Sequence, residues 1–167
     1  MKSNLSVFFI LFPFLLLGQN SDHDLLPASF FKANREEFIE QMPAHSAAVF
    51  FANPIRNRSN DVDYQYSQNP NFYYLTGFRD PDAVLILFKD QKTFDENKGV
   101  KELLFIRPKN KSEEIWTGIR PSCEEASVIT GIQSVYTTVQ FKDFGIAFSK
   151  MEELWVEFPS QPNSEAF

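Results

Sequence analysis

The stretch Asn69–Val84, NPNFYYLTGFRDPDAV, decides the reading of this 167-residue chain. It gathers Phe72, Tyr73, Tyr74, Leu75 and Phe78 around Thr76-Gly77, turns at Asp80-Pro81-Asp82, and runs into the apolar segment Ala83–Phe88. Aromatics without strict alternation, then turn residues, then a continuous aliphatic run describe a loop with a short helix over Tyr64–Gly77 feeding a buried strand over Ala83–Lys89. After the charged turn Asp90–Gly99, Lys101–Ile106 (KELLFI) reads as that strand's hairpin partner. A hairpin inside an otherwise alternating pattern implies a mixed sheet.

The flanks fit the same picture. Phe31, Phe38, Ile39 and Met42 lie on one face of a helix over Ser29–Met42, which Pro43 stops. Its N-terminus is expected at Ser29 or Asn34, the latter with Glu37 three residues on as in a capping box. Ser46–Ala52 (SAAVFFA) suits a strand buried on both faces. Asn53–Asp63 is expected to be a loop and Pro108–Glu114 a polar crossing. Ser122–Gly131 reads as a short helix, with Ser122 as N-cap, Glu125 completing the capping box, and Gly131 closing it. Ser134–Tyr136 is a brief strand, Phe141–Glu153 a helix with Phe144, Ala147, Phe148 and Met151 on one side, and Leu154–Phe158 a last strand. The expected fold is an α/β domain with a central mixed β-sheet flanked by helices.

An apolar content of 43% and a charged content of 23% suit one globular domain. The net charge is −6 with no basic stripe, which argues against nucleic acid as a partner. Residues 1–20 stand apart: Lys2, then the apolar Leu5–Gly18, then small or polar residues. This is the layout of a cleaved secretory signal peptide, with an uncleaved anchor or a surface helix as alternatives. The expected organisation is signal peptide 1–20, linker 21–28, folded domain 29–158 and the start of a further linker at 159–167. Export to a periplasmic or extracellular location follows from that leader, with no stable membrane anchor.

No self-contained active site is legible. There is no GxSxG elbow, GxGxxG or Walker loop, and His23 and His45 lack metal-ligand spacing. Asp80, Asp82 and Asp61–Asp63 read as turn and loop residues ahead of metal ligands. The single cysteine, Cys123, reads as a buried or half-buried structural thiol. Trp116, in EEIWTGIR, is either a surface contact or substrate platform, or a core or edge residue whose indole N–H reaches a backbone carbonyl. Composition alone favours the second.

Several segments together carry a family resemblance. They are Phe38…Gln41-Met42, Ser46–Phe50, Arg58-Ser59…Asp61…Tyr64…Tyr66…Gln68-Asn69, the run Phe72–Phe78…Pro81–Leu85, and Glu114-Ile115-Trp116…Gly118…Arg120. Over about Ser29 to Phe158 the chain resembles the N-terminal domain of aminopeptidase P, the Xaa-Pro aminopeptidases of the creatinase/prolidase group. The resemblance implies a small mixed-sheet domain ahead of a separate catalytic domain of the pita-bread fold, which would hold two manganese ions and hydrolyse the bond before proline. That domain is absent from this chain, so the chain is expected to be inactive alone, with Phe167 a fragment boundary or the end of a truncated product. The implied partners are the chain's own catalytic domain, further copies in a homo-oligomer, and peptides with proline in second position. Family members use the N-terminal domain for assembly and lend residues to a neighbouring subunit's active-site mouth. By resemblance those are Trp116 and Asp61, which brings the two readings of Trp116 level. Asp61 would pair with a basic group across an interface or cap its own loop. One departure is Ser67, where the family often has Arg, and it puts the oligomer contact in doubt. The competing expectation is a stand-alone binding or oligomerisation module without peptidase activity.

Overall fold

The computed structural model describes residues 26–94 and 97–159. The expected signal peptide, most of the first linker and nearly all of the final tail lie outside these residues. The elements run α1 (Ala28–Gln41), β1 (Ser46–Phe51), β2 (Asn57–Ser59), β3 (Val62–Asp63), α2 (Pro70–Thr76), β4 (Val84–Phe94), β5 (Asn97–Ile106), α3 (Lys111–Thr117), α4 (Cys123–Thr130), β6 (Val135–Thr137) and β7 (Glu153–Glu157). The main sheet has the order β6-β5-β4-β1-β7. β1 pairs antiparallel with β4, and β4 with β5, while β7 lies parallel to β1 and β6 parallel to β5. The mixed sheet flanked by helices is therefore as expected.

Strand alternation sorts the aliphatic runs onto two faces. Ala48, Phe50, Leu85, Leu87, Leu104 and Ile106 meet Ile39 and Met42 of α1, Phe72 and Leu75 of α2, and Ala126 of α4. On the opposite face Ala47, Val49, Ile86, Phe88, Leu103 and Phe105 are covered by Tyr136, Phe144, Phe148 and Met151. Sixteen consecutive letters of sequence build much of the first layer. Asn69 caps α2, its side-chain oxygen accepting from the Asn71 and Phe72 N–H groups, and Pro70 takes the first turn, where its missing N–H costs nothing. At the other end the Thr76 hydroxyl donates to the Phe72 carbonyl and accepts from the Phe78 N–H, while Gly77 supplies the left-handed φ of 67°. α4 ends by the same device: Thr130 bonds the Ala126 carbonyl and the Ile132 N–H, followed by Gly131 at φ 74°.

Several expectations need correction. α1 begins after Pro27, with no side-chain cap; Asn34 instead sits inside the helix and donates to the Tyr74 carbonyl, so it forms no capping box. Asn53–Asp63 is not a plain loop: β2 and β3 form a small hairpin there, with Asn60 at φ 51°. The turn expected at Asp90–Gly99 is instead the outer part of the β4–β5 hairpin, which continues past a register irregularity between Leu87 and Lys92. Pro108–Glu114 contains the start of α3, a helix with no buried residue and so no apolar period to announce it. Phe141–Glu153 is not a helix. Two short 3₁₀ turns, Gln140–Asp143 and Phe148–Lys150, are separated by Gly145 at φ 62°. Its aromatics still share one side, because what they answer to is the ring of Phe105, 5.0 Å from Phe141 and 5.2 Å from Phe144, rather than a helical axis.

The capping box of α4 is formed as read from the sequence. The Ser122 hydroxyl accepts from the Glu125 N–H at 3.2 Å, and the Glu125 carboxylate accepts from the Ser122 N–H at 2.6 Å. That bond, first, and the Lys109 ammonium, second, hold the Glu125 carboxyl below its ordinary value of 4.5. A depressed carboxylate stabilises the fold above its unfolded-state value, and the contribution is lost as pH falls through the folded-state value. Ser122→Ala is expected to cost about 1 kcal/mol in urea denaturation at neutral pH. For Glu125→Gln, the stability gap to the parent should close as the pH is lowered below about 4.

Candidate functional site

The residues between β5 and α4 form a braced loop that carries Trp116. Arg107, at the end of β5, donates to the Asp82 carboxylate at 3.2 Å and lies 3.5 Å from Glu113. Glu113 in turn accepts from Arg120 at 2.9 Å. Arg120 is 9% exposed and also donates to the Thr117 hydroxyl at 3.1 Å, while its backbone N–H donates to Glu114. The hydrogen bond from Arg120 is the main reason the Glu113 carboxyl sits below its ordinary value. Asn110 caps α3 and donates to Glu113, and Gly118 ends the helix at φ 85°. A seven-residue helix with no buried side chain is thereby held by two ion pairs to Glu113 in its first turn and by the Arg120–Thr117 hydrogen bond at its end.

What this brace presents is apolar. Trp116 is 87% exposed, Ile115 78% and Ile119 87%. The reading of Trp116 as a core or edge residue is overturned, since its indole N–H reaches no acceptor among the described residues. A large aromatic held out in solvent on a fixed support has the character of a contact residue. Beside it lies a cavity of about 230 Å³ lined by Tyr66, Asp80, Arg107, Thr117, Ile119 and Arg120. Burial is the main cause holding the Asp80 carboxyl above its usual range, against the pull of Arg120 and Arg107. Burial and the charges of Asp82 and Asp80 likewise push the Tyr66 phenol up.

Asp61 lies in the exposed turn of the β2–β3 hairpin, and its carboxylate makes no hydrogen bond or ion pair among the described residues. It therefore does not cap its loop in this chain. No bond or ring contact joins it to Trp116. Nearby, Arg56 and Arg58 lie 5.5 and 6.0 Å from the Tyr64 ring centroid. Cys123 is half-buried at the start of α4; burial first, and Glu124 second, push its thiol up, which suits an inert side chain. Among the described residues no three His, Cys, Asp or Glu side chains converge in a way that would hold a metal ion. These residues do not fit a two-manganese centre. No helix among them is long and apolar enough to cross a membrane.

The sequence reading missed the brace. Asn110 with Glu113 three residues later is the available signal for α3; Arg120 enters the sequence reading only as a letter of the family motif and Arg107 not at all, because a lone Arg in a polar stretch usually marks a solvated surface.

A model of the aminopeptidase P N-terminal domain matches residues 31–154. The chain belongs to the aminopeptidase P N-terminal domain family. Within that family it is 36% identical over 123 residues to a Xaa-Pro aminopeptidase of Escherichia coli, covering 74% of this chain and 24% of the relative. It is 32% identical over 108 residues to human Xaa-Pro aminopeptidase 3, covering 65% and 21%. Solved aminopeptidase P from Escherichia coli superposes with a TM-score of 0.62 at 34% identity, over 71% of this chain and 26% of that one. A structure assigned to aminopeptidase P from Bacillus anthracis superposes with a TM-score of 0.70 at 28% identity, over 83% and 32%. The chain thus spans about a quarter of the length of the curated relatives it matches.

Proposed function

We propose that this chain is the non-catalytic N-terminal domain of an exported Xaa-Pro aminopeptidase, a hydrolase that removes the residue preceding proline from a peptide's N-terminus. On this proposal the domain serves homo-oligomer assembly and shapes the mouth of an active site. The two manganese ions and the hydrolytic chemistry belong to the protein's catalytic domain, outside the residues of this chain. Export rests on the leader-like residues 1–20.

The observation that supports the mouth-shaping role best is Trp116, exposed on a helix that Arg107, Glu113 and Arg120 brace. A rigid aromatic face is suited to lie against the ring of proline or to wall off the apolar side of a substrate cleft. Asp61 is the second contact residue, with a carboxylate unpaired among the described residues and able to meet a basic group on a partner or a peptide. In the full-length protein, Trp116→Ala should lower kcat/KM for an Xaa-Pro peptide at least about tenfold. Since the side chain is almost wholly exposed, stability should change by no more than about 0.5 kcal/mol. An unchanged kcat/KM with a lowered Tm would return Trp116 to a structural role.

A further inference from the structure

The cavity of about 230 Å³ beside Trp116 has one polar wall that nothing satisfies. The others are committed. The Tyr66 hydroxyl donates to the Asn53 carbonyl at 3.1 Å. Arg107 is matched by Asp82 at 3.2 Å, and Arg120 by Glu113 at 2.9 Å. The Thr117 hydroxyl donates to the Glu113 carbonyl and accepts from Arg120. Arg79 holds its guanidinium over the Tyr73 ring, 5.8 Å from the centroid. Asp80 differs. Its backbone carbonyl accepts from Gln68 at 3.0 Å, but its half-buried carboxylate makes no hydrogen bond or ion pair among the described residues. The Asp80 charge pushes up the Tyr66 phenol, and Arg120 and Arg107 pull on Asp80 in turn. All three are walls of the cavity, so the carboxylate faces it. The two guanidiniums attract this carboxylate without bonding it, and burial outweighs their pull. A carboxylate left in that state gains more than any other group of the site from a new donor.

We propose that this cavity takes the side chain of a lysine next to the proline of a bound peptide, with Asp80 accepting from the ammonium. The inference rests on reading Trp116 as the platform for that proline. Thr117, Ile119 and Arg120 follow Trp116 directly in the chain and line the cavity, so a residue adjoining a proline held at Trp116 is within reach of it. Ile55 and Ile119, 40% and 87% exposed, offer apolar walls to the aliphatic stem. A lysine buries such a stem along apolar surface and keeps its charged head on a polar partner. With Arg107 and Arg120 each tied to its own carboxylate, Asp80 is the acceptor left for that head. Asp80 is therefore a specificity-determining residue rather than a member of the turn alone.

The test compares peptides that differ in a single ammonium group. Lysine is set against norleucine, which keeps the four-carbon stem, before the proline in one pair of peptides and after it in the other. On the full-length protein, Kd is measured at equilibrium without added manganese and kcat/KM with it. One of the two pairs is expected to favour lysine about tenfold in Kd, the gain from one hydrogen bond to a charged group. Asp80→Asn should bring that ratio to within about twofold of one. Ile119→Lys changes an exposed position, which the fold tolerates, and sets a competing ammonium at the cavity, so it too should remove the preference. No lysine preference in the parent, or one that survives Asp80→Asn, overturns the proposal; if Asp80→Asn does not fold, Ile119→Lys decides in the same way. Turnover separates the two readings. Hydrolysis without a lysine preference overturns the lysine site alone, whereas a lysine preference in Kd without hydrolysis supports the site and removes the enzymatic reading. Binding of none of the four peptides overturns both.

Discussion

Gly77→Ala is expected to destabilise the domain by about 3 kcal/mol, the sum of a left-handed backbone forced on an L side chain and a steric overlap with a buried ring. Gly77 sits at φ 67°, and a Cβ there would stand 2.3 Å from Cε2 of Phe31, with two further ring atoms within 2.7 Å. To clear the Cβ the ring must leave its present contacts. Phe31 is 3% exposed and is held edge-on by Phe30 at 5.5 Å and Tyr73 at 5.8 Å. The glycine of the YLTGF run is thus demanded twice, once by the end of α2 and once by the close approach of α1. Urea denaturation of the purified variant checks this. A loss under about 1 kcal/mol would mean that α1 can move off α2, contrary to the packing described.

The second large effect is electrostatic. Arg35 is fully buried in the middle of α1, donating to the Leu75 carbonyl at 2.8 Å, with its Nε 3.1 Å from the Glu102 carboxylate of β5. The Nε–carboxylate approach is close enough for an ion pair but is not aligned as a hydrogen bond, and Nη2 has no hydrogen-bond partner among the described residues. Glu102, 20% exposed at its side chain, is therefore the counter-charge that the described residues offer to a fully buried cation. Glu102→Gln strands that charge and should cost about 3 kcal/mol, the usual result of removing one partner from a buried pair. Arg35→Met leaves only a partly solvated carboxylate and should cost less, and the double variant should recover part of the Glu102→Gln loss. Strictly additive losses in this double-mutant cycle would show that the two side chains do not sense each other.

How much of this was legible follows from what each element answers to. The strands of SAAVFF and AVLILF were readable because burial on both faces leaves a continuous apolar run, and α4 because its caps are local chemistry written in adjacent letters. Arg35 was not readable as a core residue. It occupies the position between Phe31 and Ile39 on the same helix stripe, but a charged letter there looks like the edge of the solvent face. α3 was missed because nothing buries it; its order comes from Arg107 and Arg120, which lie outside it in sequence. The helix expected over Phe141–Glu153 failed for the opposite reason, since its apolar spacing is real but is met by two 3₁₀ turns folded over Phe105. At the candidate site, the sequence marked Trp116 without fixing which way it faces, because that depends on the brace. It marked Asp61 by resemblance alone.

The proposed function divides labour between this domain and a catalytic domain. Its most direct test is hydrolysis of an Xaa-Pro peptide in the presence of manganese, measured side by side for the 167-residue chain and for the full-length protein. The full-length protein is expected to release the N-terminal residue, and the chain alone to release none above background. Turnover by the isolated chain, or none by an intact full-length protein, would contradict it.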